Sequence, residues 1–179
     1  MVFDELLSVM PVPSNVVEGG LGQDWGRVTG RFCDPLPTDY MQFIDTYGSG
    51  SVNGFLTVFN PFSANFHVNL FDQVLFTLSS LRALKAQFPR EVPFPLYFEP
   101  GGMLPWGMSI DGDIYCWLTN GISGGWQTVV ICRHAPAGHF KMTMTQFLAR
   151  AIKGEIKSYS IPEDFGDGGC GVFYPLEKT

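Results

Sequence analysis

The sequence contains few charged residues and no cluster of basic ones. Charged side chains make up 16% of the 179 residues, whereas roughly 25% is usual for soluble domains. Because no run of lysine or arginine is available to neutralise a phosphate backbone, nucleic-acid binding is not expected. The 17 acidic residues outnumber the 11 basic ones and give a net charge of −6. Such acidity suits a basic partner, since opposite fields speed encounter, but it also serves simply to keep a protein soluble.

Long apolar segments and paired cysteines are also missing. No stretch approaches the ~20 apolar residues that a membrane helix requires, so no membrane partner is expected. Asp4 and Glu5 stand where a signal peptide would carry positive charge. The cysteines form no C-x-x-C pair, and a chain of this length does not depend on disulfides; they are Cys33, Cys116, Cys132 and Cys170. These absences predict a cytoplasmic protein.

Aromatic and turn-forming residues, by contrast, are abundant. Hydrophobic residues amount to 45% and aromatics to 15%, with 16 Phe among them, which is enough for a large aromatic core. The 21 Gly and 13 Pro are spread along the chain, so many turns and short elements are expected. No repeat or change of composition divides the chain. We therefore predict a single domain over residues 1–179.

Hydrophobic periodicity predicts five helices. Tyr40, Phe43, Ile44 and Tyr47 share one face of a helix that Gly48 is placed to end. The other predicted helices cover residues 2–10, a short segment capped by Asp24, residues 69–88, and residues 146–153 with Thr143 or Thr145 as the cap.

Apolar runs separated by turn residues predict strands at 55–59, 94–98, 106–110, 114–118 and 126–132. The last three follow one another at hairpin distances, with Asp111, Gly112 and Asp113 as one turn, so we expect an antiparallel meander. With helices before, within and after these strands, the sequence predicts an α+β fold. The chain beyond residue 154 is expected to be irregular, and the role of its glycine-rich stretch at 166–171 is open.

Four sequence motifs in a fixed order suggest a family. They are L-P-T-D-Y at 36–40 leading to Y-G-S-G at 47–50, F-L-T-V-F-N-P at 55–61, P-G-G-M-L-P-W-G at 100–107, and F-L-A-R-A-I-K-G at 147–154. In this order and spacing the chain resembles the SUKH superfamily, which contains bacterial immunity proteins and fungal regulators of cell-wall glucan synthesis. The matching segments run from about residue 25 to 154. The resemblance implies a SUKH-like domain.

Members of that superfamily bind other proteins, so the resemblance implies a non-catalytic binding module. Its leading form is an immunity protein that neutralises a cognate toxin, plausibly a basic nuclease. The first alternative is a regulatory interaction protein in cell-wall or signalling control. The second is a hydrolase that uses Ser123 or Cys170 as its nucleophile.

Two glycine motifs invite that catalytic interpretation, but their contexts disfavour it. Residues 121–125 match G-x-S-x-G around Ser123, yet a strand rather than a helix is predicted to follow, so a hairpin loop is expected. Residues 166–171 match the letters of G-x-G-x-x-G, but too little chain remains for the helix that a dinucleotide site needs. No cofactor is therefore expected.

The cysteines and histidines do not predict a metal or thiol catalyst. Cys132, His134 and His139 supply three soft ligands without a fourth, which makes a poor zinc site. Cys170 lies between glycines and is expected to be exposed, but no nearby histidine or arginine is present in the sequence to activate it. We predict neither metal ligands nor catalytic residues.

Candidate partner-binding residues are chosen by charge and by proximity to turns. Tryptophan is enriched in binding hot spots as well as in cores. Trp106, beside Gly107 and prolines, is expected to be structural, whereas Trp25 and Trp126 are expected to be exposed. The predicted contact residues are Asp24, Trp25, Glu99, Asp111, Asp113 and Trp126. The chain is expected to be a monomer or a weak dimer formed through an open strand edge.

Overall fold

The computed structural model of the protein describes residues 2–166 and 168–177. The helices are α1 (Val2–Val9), α2 (Trp25–Thr29), α3 (Thr38–Tyr47), α4 (Leu70–Gln87) and α5 (Met144–Ile152). The strands are β1 (Gly50–Val52), β2 (Leu56–Val58), β3 (Met103–Ser109), β4 (Ile114–Leu118), β5 (Gln127–Ile131), β6 (Gly138–Phe140) and β7 (Phe173–Pro175). In this part of the chain, no helix is long and apolar enough to cross a bilayer.

All seven strands form one antiparallel sheet. Its order is β6-β5-β4-β3-β2-β1-β7, so β1 to β6 make a meander and β7 returns to the open edge of β1. The register between β3 and β4 shifts between Pro105 and Gly107, which leaves Trp106 at a bulge. The predicted α+β fold with an antiparallel meander is confirmed.

Both faces of the sheet are covered at its centre. Successive residues of a strand point to opposite faces, and β4 is buried at four successive positions. Tyr115 and Trp117 face one layer, where their rings meet Phe147 of α5 and Tyr40 of α3. Cys116 points to the other face and is fully buried too, and α4 packs against the neighbouring strand β3. The sheet is therefore the central layer of an aromatic core.

All five predicted helices are present, although α5 begins two residues earlier than predicted, at Met144. Asp24 caps α2 by accepting a hydrogen bond from the Arg27 amide, and Asn69 caps α4 in the same way. Thr143 is the N-cap of α5, and its amide donates to Gln146 Oε1 at 3.1 Å. Gly48 ends α3 with φ of +72°, and a Cβ at this position would lie 2.1 Å from the Val17 carbonyl oxygen. Only glycine fits there.

Some strand predictions were wrong. Residues 94–98 form no strand beyond a single bridge between Leu96 and Met103. Pro93 and Pro95 explain this, because a proline cannot donate a hydrogen bond to a strand ladder. Strand β3 begins at Met103 rather than at residue 106. Strands β1 and β6 were not predicted, since each has only three residues and no apolar alternation.

Beyond α5 the described chain is irregular up to β7, as predicted, but β7 itself was not predicted. The chain crosses one end of the sheet, where Ser160 O accepts from the Tyr115 hydroxyl at 2.6 Å, and it then supplies β7. Gly166 packs directly against α5, because a Cβ there would lie 1.7 Å from the Ile152 carbonyl oxygen. The glycine-rich stretch thus lets the chain pass close to α5 and reach the β1 edge.

The outer edge of β7 is poorly suited to further pairing. Val172 O accepts from the Asn53 amide, and the Leu176 amide donates to Ser49 O, so both groups point toward β1. The backbone groups of successive residues point to alternate sides of a strand. The nitrogen of Pro175 therefore lies on the open side, where it has no hydrogen to donate.

Candidate functional site

The predicted contact residues do not form one site. Asp24 and Trp25 lie at the start of α2, and Asp111 and Asp113 lie in the turn between β3 and β4. Glu99 lies in the loop before β3, at the opposite end of that strand from the Asp111 turn. Asp111 and Glu99 thus lie at opposite ends of β3, and we consider the start of α2, the Asp111 turn and the Glu99 loop in turn.

At the start of α2, Trp25 is held in place by Asp45 of α3. Asp24 is exposed, and Trp25 is half-buried with its Nε1 donating to Asp45 Oδ1 at 2.9 Å. The Trp25 ring also packs edge-on against Tyr40 and Phe62. Trp25 is thus fixed by its neighbours, and only part of its ring is accessible to a partner.

The turn between β3 and β4 borders a surface cavity of about 430 Å³. Asp111 is exposed, but Asp113 is only 6% exposed, and its Oδ1 accepts from the Arg133 amide at 2.8 Å. Arg133, His134 and Tyr159 also line the cavity. Asp111 is therefore available to a partner, whereas Asp113 mainly holds the turn against the strand beside it.

Glu99 belongs to a third surface, formed by residues 98–102 together with residues 119–125. The two loops are joined because the Thr119 amide and Oγ1 both donate to Gly102 O, at 3.1 and 2.9 Å. Glu99 is exposed, and its Oε1 accepts from the Leu96 amide at 3.2 Å. We call this pair of loops the PGG tip.

Trp126 follows the second loop of the PGG tip, but its predicted exposure is wrong. Its side chain is 1% exposed, and its ring lies 6.0 Å from that of Trp117. The glycines before it bend the chain so that Trp126 turns inward just ahead of β5. Trp106 is fully buried, as expected, and packs near Tyr115 and Trp117.

Phe98, which the sequence did not single out, is the most unusual residue of the PGG tip. Its side chain is 65% exposed, and its φ is +78°. A left-handed backbone is an outlier for a bulky residue. The two prolines that exclude a strand at 94–98 could have signalled an irregular backbone here, although nothing in the sequence fixes the sign of φ.

Glu18 was also missed. It has φ of +52°, its Oε2 accepts from Ser49 Oγ at 2.7 Å, and its Oε1 accepts from the Ala64 amide at 3.0 Å. Burial by itself would raise the pKa of Glu18, but hydrogen bonds from Ser49, Ala64 and Ser63 together lower that pKa below its ordinary value. Glu18 therefore stays ionised and ties the segment before α2 to the start of β1.

The residues on which the family resemblance rests have structural roles. Asp39 Oδ2 accepts from the Thr145 amide and Oγ1, at 3.1 and 2.9 Å, and so joins the starts of α3 and α5. The buried Tyr40 hydroxyl donates to Phe59 O at 2.6 Å. Trp106 is in the core. Asp39, Tyr40 and Trp106 thus stabilise the fold, whereas the Pro-Gly-Gly of the third motif lies in the PGG tip.

The glycine motifs have the loop contexts that the sequence predicted. A single 3₁₀ turn at Ser123–Gly125 is followed by strand β5, so no nucleophile elbow forms; the Ser123 side chain itself lies outside the described atoms. Strand β7 rather than a helix follows Gly171. Both patterns therefore lack the following helix that a nucleophile elbow or a dinucleotide site requires.

The cysteines are free, and two of them are exposed. Cys33 and Cys170 are exposed, Cys132 is half-buried, and Cys116 is buried. Burial raises the pKa of Cys116, and burial together with the nearby Asp113 carboxylate raises the pKa of Cys132. Over residues 2–166 and 168–177, no three histidine, cysteine or acidic side chains are placed to hold a metal ion.

The negative charge is unevenly distributed along the chain. Residues 1–81 hold two basic residues, Arg27 and Arg31, against eight acidic ones, which are Asp4, Glu5, Glu18, Asp24, Asp34, Asp39, Asp45 and Asp72. The rest of the chain has equal numbers of the two signs. No lysine or arginine occurs between Arg90 and Arg133, a span that includes Glu99 and Asp111. Asp24, Glu99 and Asp111 therefore all lie in parts of the sequence where acidic residues prevail.

No family model, no curated protein and no solved structure matches the chain. The resemblance to the SUKH superfamily thus rests on the four sequence motifs.

Proposed function

We propose that this chain is a non-catalytic protein-binding module of the immunity type, which neutralises a basic toxin, plausibly a nuclease. The motif resemblance suggests the class, and the charges of the molecule support a basic partner. We further propose that the predicted acidic residues Asp24, Glu99 and Asp111 attract that partner.

The observation that carries the proposal is the way these carboxylates are held. Asp24 accepts from the Arg27 amide and Glu99 from the Leu96 amide. Among the residues that the structure describes, neither these two nor Asp111 has a lysine or arginine side chain within ion-pair distance. Arg27 and Arg31 line the same cavity as Asp24, and Arg133 lines the same cavity as Asp111, but none of them is paired with these carboxylates. Neither loop of the PGG tip, to which Glu99 belongs, contains a basic residue. An acidic surface accelerates association with a basic protein.

Co-expression tests the proposed role. The gene next to this one in its genome is expressed alone and together with this chain, and cell growth is scored. We expect the neighbour alone to kill and this chain to restore growth. Absence of toxicity, or toxicity without rescue, would overturn the immunity role in favour of a regulatory interaction.

Two triple variants that change the net charge equally test whether Asp24, Glu99 and Asp111 attract the partner. Asp24→Asn, Glu99→Gln and Asp111→Asn are combined, because an asparagine still caps a helix and a glutamine still accepts the Leu96 amide bond. The control combines Glu91→Gln, Glu163→Gln and Asp164→Asn, which are also exposed and change the net charge equally. We expect about a tenfold lower association rate with the toxin at low salt for the first triple alone. Equal effects of both triples would exclude these carboxylates as the contact surface.

A further inference from the structure

The PGG tip presents one aromatic ring in an unusual way. Phe98 exposes 65% of its side chain while its backbone has φ of +78°. A bulky side chain in this conformation costs folding free energy, and an exposed ring recovers little of it by burial. Strained residues of this kind are concentrated where a side chain must be held in position for function.

The neighbours of Phe98 hold the loop rigidly. Tyr97 is buried, its amide donates to Met103 O at 3.0 Å, and its hydroxyl accepts from the Cys33 amide at 2.8 Å. On the other side, the Glu99 amide donates to Leu96 O at 2.9 Å, and Glu99 O accepts from the Gly102 amide at 2.9 Å. Because both flanking residues are fixed, the backbone that presents the Phe98 ring has little freedom to lose on binding.

The exposed side chains of the PGG tip include apolar and acidic ones. Ile122, on the adjoining loop of the PGG tip, is 87% exposed, and Glu99 follows Phe98 directly. Neither loop of the PGG tip contains a lysine, arginine or histidine, and Lys85 of α4 donates to Phe94 O on the segment that leads to the tip. A complementary surface would therefore combine an apolar pocket with a positively charged rim.

We propose that Phe98 is the anchor by which this chain grips its protein partner, and that the partner supplies an apolar pocket bordered by lysine or arginine. This inference rests on the proposed function and names the contact that it uses. Rigid aromatic anchors that fill a pocket typically dominate the affinity of an interface. Glu99 then meets the rim of the pocket, where a charge affects mainly the association rate.

Phe88 provides a matched control. It is 51% exposed, but it ends α4 with φ of −132° and lies outside the PGG tip. The binding of Phe98→Ala and Phe88→Ala to the neighbouring gene's toxin is measured by calorimetry, after equal melting temperatures show that both fold. We expect Phe98→Ala to weaken binding about 30-fold or more and Phe88→Ala to weaken it less than about threefold.

The outcomes separate the two proposals. If the unmodified chain does not bind the toxin, the proposed function falls and this inference falls with it. If it binds and Phe98→Ala binds equally well, only the anchor is overturned. Should Phe98→Ala fail to fold, Phe98→Gly replaces it, because glycine accepts the same φ without strain.

A photo-crosslinking phenylalanine analogue at position 98 tests the partner's chemistry. We expect the crosslinked toxin peptide to come from an apolar pocket with lysine or arginine nearby. A crosslink to an acidic or wholly polar surface would overturn the partner assignment.

Discussion

The left-handed backbone of Phe98 predicts that glycine is more stable than alanine at this position, which is the reverse of the usual order. Alanine and glycine are each placed at position 98 and at the control position 88. Both substitutions remove the same ring, so within each pair the loss of side-chain contacts nearly cancels. What remains is the preference of the backbone.

The magnitude follows from the two φ values. At +78° alanine keeps a left-handed strain of about 1–2 kcal/mol that glycine avoids, while glycine costs about 0.5–1 kcal/mol through the greater freedom of the unfolded chain. From the midpoints of these ranges we therefore expect Phe98→Gly to be more stable than Phe98→Ala by about 0.8 kcal/mol. At −132° alanine is unstrained, and Phe88→Gly should be less stable than Phe88→Ala by a similar amount.

Urea unfolding with equal m-values, supported by thermal melts, measures both differences. For a chain of this size, 1 kcal/mol corresponds to a shift of about 2–4 °C in Tm. If alanine were the more stable residue at both positions, Phe98 would not have a left-handed backbone in solution. The argument that its ring is held under strain for a partner would then fail.

Three further predictions concern other parts of the molecule. Because the pKa of Glu18 is lowered in the folded state, the unfolded chain binds more protons in acid. The stabilisation by Glu18 is therefore lost as the pH falls below about 4.5. Glu18→Gln should flatten the acid limb of a stability-versus-pH curve, and an unchanged limb would contradict this. Gly166→Ala places a Cβ against Ile152 O and should lower the free energy of unfolding by about 2 kcal/mol or more. Gly124 has open space around it, so Gly124→Ala should change that free energy by less than about 0.5 kcal/mol. Similar effects of the two substitutions would refute the close approach of Gly166 to α5. Iodoacetamide at neutral pH should modify the exposed Cys33 and Cys170 in the folded protein, and all four cysteines in urea. Mass spectra of the native protein that show rapid labelling of Cys116 or Cys132 would contradict the burial and the raised pKa values of these two thiols.

The elements with strong local signals could be predicted from the sequence. Helix α3 has a regular apolar face and a glycine where it ends, and β4 was predicted with its observed bounds. Strands β1, β6 and β7 could not be predicted, because each is short and is defined by its neighbours in the sheet. Their formation depends on tertiary pairing, which local patterns do not encode.

The candidate site was less predictable than the fold, for a related reason. Charge located Glu99 and Asp111 on the surface, but proximity to glycines gave the wrong exposure for Trp126, whose burial depends on the distant Trp117. Phe98 was missed because the residues around it contain strand-like aromatics, and the prolines that break the strand were given too little weight. A backbone angle is not readable from residue types alone.

The pairing of β7 with β1 has a consequence for biosynthesis. Tyr174 emerges from the ribosome long after Ser51, with which it pairs. Until then the β1 edge has free backbone donors and acceptors, and nascent chains on neighbouring ribosomes can pair through it. Correct folding therefore depends on β7 reaching the β1 edge before another chain does.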